Sequence, residues 1–442
     1  LPVCNQWWSA RCRATSKIVL GVSIVNQARK TILRGNIEKV FYAGPKFSAG
    51  RLRDADGRSR SFAGNLFAVE GQHVALAGHW ETHPDYGQQF KVDRVEVEMT
   101  GDPEGLARYF STDRPIWGLL YPLSTALVGS SPLGWQIFGL VWHWISAVSL
   151  WGAVRALWPK HAEAALWISL LYVVYPGFDQ QAIAITYGHF FIVLTLFFSS
   201  YMFTALAFRQ PRRAGLWTAL ALLTSLANLM MMEYFFVLEL LRAVWLWVLA
   251  GESALPARER LRQTLRRGLP YALLFLGAAV WRAFFFRFQT QNYELGLLTQ
   301  LQSAPLNTLA QLAWTVVRDV FVVSFGAWAH AFRLPDAAVF GTRTIQLFAA
   351  LVTAAAGLTG LYLGLTRAEN PRAAWAKPAL LLGGAGLLLG GWPFWLTCLP
   401  VGLQYPNSRF TLSFVLGVSF LSAGLIAWLP LRRWMRVGLL AV

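Results

Sequence analysis

From about residue 113 onward the chain is a succession of apolar runs separated by short basic connections. So much contiguous hydrocarbon constrains the fold more than any other feature, because a lipid bilayer accepts only elements that satisfy their own backbone hydrogen bonds. Nine runs approach the ~20 apolar residues a spanning helix needs. They are 132–158, 162–176, 187–208, 216–231, 234–250, 269–286, 345–365, 378–399 and 410–429. Charged residues make up only 14% of the 442, against roughly 25% in soluble domains. The deficit falls almost wholly after residue 112, so the two parts are read separately.

The net charge of +17 follows the same division. Residues 1–112 hold 15 Lys/Arg against 11 Asp/Glu, and 113–442 hold 24 against 11. In the second part the excess lies in short loops: Arg209 with Arg212 and Arg213; Arg258 to Arg267; Arg367, Arg372 and Lys377; and Arg432, Arg433 and Arg436. Such loops mark the cytoplasmic side. All four fall on one side if 305–331, with Arg318-Asp319 in its middle, is an amphipathic helix lying outside rather than a span. The expectation is a multi-pass protein of the cell inner (cytoplasmic) membrane. Cys4, Cys12 and Cys398 have no paired spacing and give no disulfide framework or zinc site. The chain starts at Leu1 rather than Met, 16–25 is too short for a confident signal core, and 437–442 reads as a helix stopped early. It is therefore read as a fragment, truncated at its C-terminus.

The first part has another pattern. Residues 1–35 stay unassigned. Over 36–112 short β-like runs alternate with turns: Ile37–Tyr42, Phe47–Leu52, Ser61–Ala63, Val74–Ala77 and Phe90–Val97, with Asp56-Gly57 as a hairpin signal. Five strands in about seventy residues fit a small OB-like β-barrel. The fold class is thus a small β-barrel followed by an all-α polytopic membrane domain of about nine transmembrane helices.

Within the first part, Gly78-His79-Trp80-Glu81-Thr82-His83-Pro84-Asp85-Tyr86-Gly87-Gln88-Gln89-Phe90 and the later Gly105-Leu106-Ala107-Arg108-Tyr109-Phe110 resemble the N-terminal OB-like domain of RecD-like DNA helicases. The resemblance implies a domain type rather than an activity. No Gly-x-x-x-x-Gly-Lys-Ser/Thr loop occurs, so neither helicase nor ATPase activity is expected of this chain. His73, His79 and His83 read as hairpin residues rather than a metal set. Lys46, Arg51 and Arg53, with Arg58, Arg60 and Phe47, form a basic cluster that could follow a phosphate backbone. A solvated hairpin is the favoured reading of it, since 36–112 holds 9 basic and 11 acidic residues.

Polar residues beside the apolar runs stand out because lipid makes them expensive. Asp113, Asp179 and Glu233 are the candidate catalytic carboxylates. Arg114, His189 and Arg409 are the candidate substrate-binding residues. On the topology above all six lie at the outer face, where a carboxylate can act as base or metal ligand and an arginine can hold a phosphate. Each also has a structural reading: Asp113 as a helix cap, Asp179 as a helix terminator after Pro176-Gly177, Glu233 as the partner of a neighbouring helix. His189 reads as a packed interfacial histidine and Arg409 as an interface anchor. Glu239 and Arg242, three apart, are expected to neutralise each other.

Thr112-Asp113-Arg114-Pro115, the many spans, and Pro406-Asn407-Ser408-Arg409-Phe410-Thr411-Leu412 resemble the GT-C superfamily of integral membrane glycosyltransferases. The resemblance implies a polyprenyl-phosphate-linked sugar as substrate, Asp113 as base or metal ligand, and Arg409 near the lipid phosphate. A divalent metal is the one cofactor it suggests. Ser413 stands where that family has proline, and the family's first helix and its outer-loop acids should precede residue 112, so an inactive relative is included. A transporter or flippase for a similar lipid is the alternative, though no internal repeat supports it. Nucleic acid is a partner only through 36–112. With the first span running inward, the helicase-like part would lie outside. The expectation is therefore a chimeric gene model or assembly join near Tyr109–Thr112, with a real fusion as the alternative.

Overall fold

The computed structural model describes residues 31–43, 47–54, 56–64, 66, 73–84, 87–96, 114–129, 131–253, 256–286, 295–332, 341–365, 374–430 and 432–441. They form two compact units, one before residue 113 and one after it. Asp113, Lys46 and the join at Tyr109–Thr112 lie outside the described residues.

The first unit is a five-stranded, OB-like sheet: β1 (Thr31–Ala43), β2 (Ser48–Asp54), β3 (Ser59–Gly64), β4 (His73–His83) and β5 (Gly87–Glu96). The strands hydrogen-bond in the order β1-β2-β3-β5-β4, and β4 returns to β1. Closure rests on a short parallel seam of three pairs between β3 and β5, from Phe62↔Phe90 to Gly64↔Val92. Each of the five expected runs lies in one of these strands, apart from Phe47 at one end, with Val97 outside the described residues. Period-two alternation explains the sides: Leu52 points inward while Arg51 and Arg53 stay exposed. Ile37, Leu52, Phe62, Leu66, Val74, Leu76, Phe90 and Val92 fill the core, and Trp80 meets Phe90 edge-on at 5.2 Å. At the β2–β3 turn Gly57 has φ +77°, and Asp54 Oδ1 accepts from the backbone N–H of Asp56 and Arg58 at 3.1 and 2.8 Å.

The second unit is helical. It contains α1 (Pro115–Val128), α2 (Pro132–Leu157), α3 (Ala162–Val173), α4 (Ala184–Arg209) and α5 (Ala214–Met231). Two 3₁₀ segments, Glu233–Phe235 and Val237–Leu240, lead into α6 (Leu241–Ala250). Then come α7 (Ala257–Val280) with a π-helical turn Trp281–Phe285, α8 (Gly296–Ser303), α9 (Pro305–Phe321) with a π turn Val322–Gly326, and α10 (Ala327–Ala331). The remainder is α11 (Thr342–Leu365), α12 (Ala376–Leu396), a 3₁₀ segment Asn407–Ser413, α13 (Val415–Trp428) and α14 (Arg433–Ala441). Helix starts follow the sequence. Ser131 caps α2, its hydroxyl accepting from Gly134 N–H, and Pro132 and Pro305 open their helices with a preset φ.

The count of nine spans is not what the described residues show. Seven helices are long and apolar enough to cross a membrane, or eight if 407–428, bent by 62°, is taken as one. The expected second span is short because α3 stops after 12 residues, ahead of Pro176. The expected fifth is broken because 3₁₀ turns precede the ten-residue α6. Conversely, 305–331, expected not to span, has the length and composition to do so. Its partners nonetheless come from one end of the bundle. Thr308 donates to the Gln300 carbonyl, Trp395 Nε1 donates to Asp319 at 3.0 Å, Tyr175 donates to the Val323 carbonyl, and Gly326 faces Leu403.

Inside the bundle α4 packs on α2 and α5, and α12 packs on α13. The second pair approaches to backbone distance through glycine. A Cβ on Gly386 would meet Gly417 Cα at 3.0 Å, and one on Gly417 would meet Leu387 N at 2.5 Å. Small residues at such spacing are what bring membrane helices together. The Glu239–Arg242 pair is fully interior, as expected. The guanidinium donates to Glu239 and to Ser200 Oγ and lies 4.4 Å from the rings of both Tyr201 and Tyr271.

Candidate functional site

Arg209 ends α4 and His189 lies near its start, so about 30 Å of helix separates the two ends of the bundle. Most of the sequence-selected polar residues gather at the His189 end, in two sets. The first set is Arg114, Glu233 and Arg282. Arg114 precedes Pro115, which keeps its backbone extended (φ −141°, ψ 72°), and its side chain is almost fully buried. Its Nε donates to Glu233 Oε2 at 2.8 Å, and its Nη2 donates to the other oxygen of the same carboxylate. Arg282, in the π turn after α7, donates to Glu233 Oε2 at 3.1 Å. Two guanidinium groups thus share one carboxylate.

The second set joins the α3–α4 connection to the 3₁₀ segment before α13. Ser408 Oγ donates to the exposed Asp179 and accepts from Gln180 Nε2 at 2.6 Å. Gln180 also donates to the Pro406 carbonyl, and its own amide oxygen accepts from Tyr187. Arg409 follows Ser408 in the same 3₁₀ segment, and its guanidinium lies 4.9 Å from the Phe410 ring. An aromatic wall runs between the sets: Phe190, Tyr234 and Phe410, with centroids 5.6 and 5.7 Å apart in sequence.

His189 takes no place in either set. It is fully buried, Nδ1 lies 3.0 Å from the Ile185 carbonyl and Nε2 lies 2.8 Å from Ser124 Oγ. Trp117, Tyr121, Trp135 and Phe138 surround its ring. The reading of His189 as a substrate-binding residue gives way to the packed-histidine reading, because both ring nitrogens are spent inside the fold. Glu233 likewise has both oxygens engaged. Among the described residues no three His, Cys, Asp or Glu form a metal-holding group, and Asp113, the carboxylate proposed for a metal, lies outside them.

In the first unit, Arg51 and Arg53 project from the outer face of β2. Arg53 pairs with Glu38 at 2.5 Å and Arg60 pairs with Asp54 at 3.1 Å. The Ser59 hydroxyl, with Arg53 beside it, holds the Glu38 carboxyl below its ordinary range. Arg51 is in no ion pair among the described residues and lies 5.6 Å from the exposed Phe41 ring. Phe41, Tyr42 and Phe47 are all exposed, and Tyr42 and Phe47 stand 6.2 Å apart. Cations beside exposed rings form the surface on which single-stranded bases stack.

Residues 30–100 match the family model of the OB-fold domain of the ATP-dependent DNA helicase YrrC. No curated protein and no solved structure matches the chain. The matched stretch begins at residue 30, and β1 begins at Thr31. His79 and His83 sit on β4 of this OB fold, and His79 lies 3.8 Å from Asp93.

Sequence reading missed Arg282 and Gln180 at the membrane end, and Phe41 and Tyr42 on the OB fold. Arg282 sits inside an aromatic run, Trp281-Arg282-Ala283-Phe284-Phe285, and an arginine within such a run was itself a signal. Gln180 carried none, since its role depends on Ser408, 228 positions away. The arrangement can hold an anion between the guanidinium groups and can accept a proton at Asp179.

Proposed function

We propose that residues 113–442 form a GT-C-like glycosyltransferase module, or an inactive relative of one, at the outer face of the inner membrane. Its substrate is a polyprenyl-phosphate-linked sugar. The observation that carries this reading is the convergence of Arg114, Arg282 and Arg409 with Asp179 beside one aromatic wall, at the end of the bundle opposite the basic connections. In this reading the arginines hold the lipid phosphate, Asp179 is the base, and Glu233 positions its two arginines rather than accepting a proton. Helix 305–331 lies along this outer face, because its partners Tyr175, Trp395 and Leu403 all belong to that end.

The test uses the full chain in liposomes with a labelled short-chain polyprenyl-phosphate sugar. Asp179→Asn is expected to lower transfer about 100-fold with binding retained. Arg409→Gln is expected to weaken binding instead. Binding without transfer identifies an inactive relative, and translocation without transfer identifies a flippase. Failure of the wild-type chain to bind the lipid phosphate overturns the reading.

A second reading, nucleic-acid binding by the OB fold, is supported by the family match together with Arg51 and the exposed Phe41, Tyr42 and Phe47. Single-stranded DNA is expected to bind more weakly as salt rises. Phe41→Ala is expected to cost about tenfold, the scale of one lost base–aromatic stack. Fluorescence anisotropy at two salt concentrations measures both. Salt-independent binding, or none, removes this reading.

A further inference from the structure

At the basic end of the bundle a cavity of about 640 Å³ opens between four connections. Trp158, Trp375 and Val248 are buried in its lining, and Leu381 of α12 gives it an apolar flank. Four cations, Lys160, Arg209, Arg260 and Lys377, stand around it against one carboxylate, Glu252. Nothing in the outer-face site uses this cavity.

The helix ends around it explain which charge it takes. The carbonyls that end α2 and α6 would repel an anion, but they are already covered. Arg209 donates to the carbonyls of Ala156 and Leu157 and pairs with Glu252 at 2.9 Å. Arg260 donates to the Trp247 carbonyl at 2.7 Å and lies 4.0 Å from the Trp247 ring. What remains is positive. Helix α12 begins beside the cavity, at Trp375, with no side-chain cap and no acidic residue in its first turn, whereas α3, beginning at His161, carries Glu163 in its first turn. Lys160 and Lys377 are exposed, and among the described residues neither has an ion-pair partner.

We propose that this cavity binds the phosphate of an anionic phospholipid headgroup, held by Lys160 and Lys377 over the start of α12. The acyl chains then run along the exposed Leu381 flank. Basic pockets between membrane helices on the cytoplasmic side suit such headgroups. The volume suits a glycerophosphate group and lies in the ordinary range for ligand sites.

Native mass spectrometry of the full chain released from detergent tests this, with phosphatidylglycerol, phosphatidylcholine or inorganic phosphate added. One phosphatidylglycerol is expected to be retained, well above phosphatidylcholine. Lys160→Gln with Lys377→Gln is expected to weaken retention about thirty-fold, the product of two charges near an anionic group. Arg212→Gln with Arg213→Gln removes two charges from the same end outside the cavity and is expected to leave retention unchanged. Equal loss in the two double variants, or equal retention of the two lipids, overturns the site. If inorganic phosphate displaces the lipid and stabilises the protein as well by itself, the occupant is a soluble phosphate and the lipid assignment falls.

Discussion

Glu233→Ala is expected to destabilise the membrane unit by about 3–5 kcal/mol, the cost of leaving buried charges without their partner. Arg114 and Arg282 both donate to this carboxylate, and the side chains are 7% and 14% exposed. Removing it takes a shared anionic acceptor from two largely buried guanidinium groups, and their mutual repulsion adds to the desolvation. Thermal unfolding of the detergent-purified chain measures the effect. Glu233→Gln keeps the shape and one acceptor oxygen, so its loss is expected to be smaller. Adding Arg114→Met to Glu233→Ala is expected to recover part of the stability, because one stranded charge disappears. An unchanged melting temperature in Glu233→Ala would show that the cluster is wet and weakly coupled.

Gly417→Val is expected to separate α12 from α13 and to cost about 3 kcal/mol or more, at the upper end for overpacking. The Cβ alone would stand 2.5 Å from Leu387 N and 2.9 Å from the Gly386 carbonyl carbon. Neither is the end of a flexible side chain, so the helices themselves must move. Both carry site elements: α12 ends in the Trp395 that holds Asp319, and α13 follows the segment bearing Ser408 and Arg409. Gly384→Ala, on α12 where a Cβ meets nothing within 4 Å, is the matched control. It is expected to be neutral or slightly stabilising, since alanine favours helix over glycine. Similar melting temperatures in the two variants would show that α12 and α13 do not touch as described.

How far these features could be read in the residues depends on the range of the interaction. The five OB strands were legible because alternation is local: Leu52 between Arg51 and Arg53 already declares which side faces the core. The long apolar helices were legible for the same reason, as were the Asp56-Gly57 turn and the i, i+3 pair of Glu239 and Arg242. The site was legible only as a list. Asp179, Glu233, Arg114 and Arg409 announce themselves as polar residues beside lipid. That Glu233 belongs to Arg114, 119 positions earlier, and to Arg282, 49 later, is decided by packing. His189 shows the reverse error. Its residue type suggests chemistry, while its burial among Trp117, Tyr121 and Phe138 assigns it to the interior.

The two 3₁₀ segments ahead of α6 have a geometric consequence. A 3₁₀ turn advances about 2.0 Å per residue, against 1.5 Å in an α-helix. Wound this way over seven residues, Glu233–Phe235 and Val237–Leu240, the stretch gains about 3.5 Å of rise over the same residues in an α-helix. Reach along a chain is thus a matter of pitch as well as residue number, and the tight winding sets Glu233 farther from α6 than the same residues in an α-helix would.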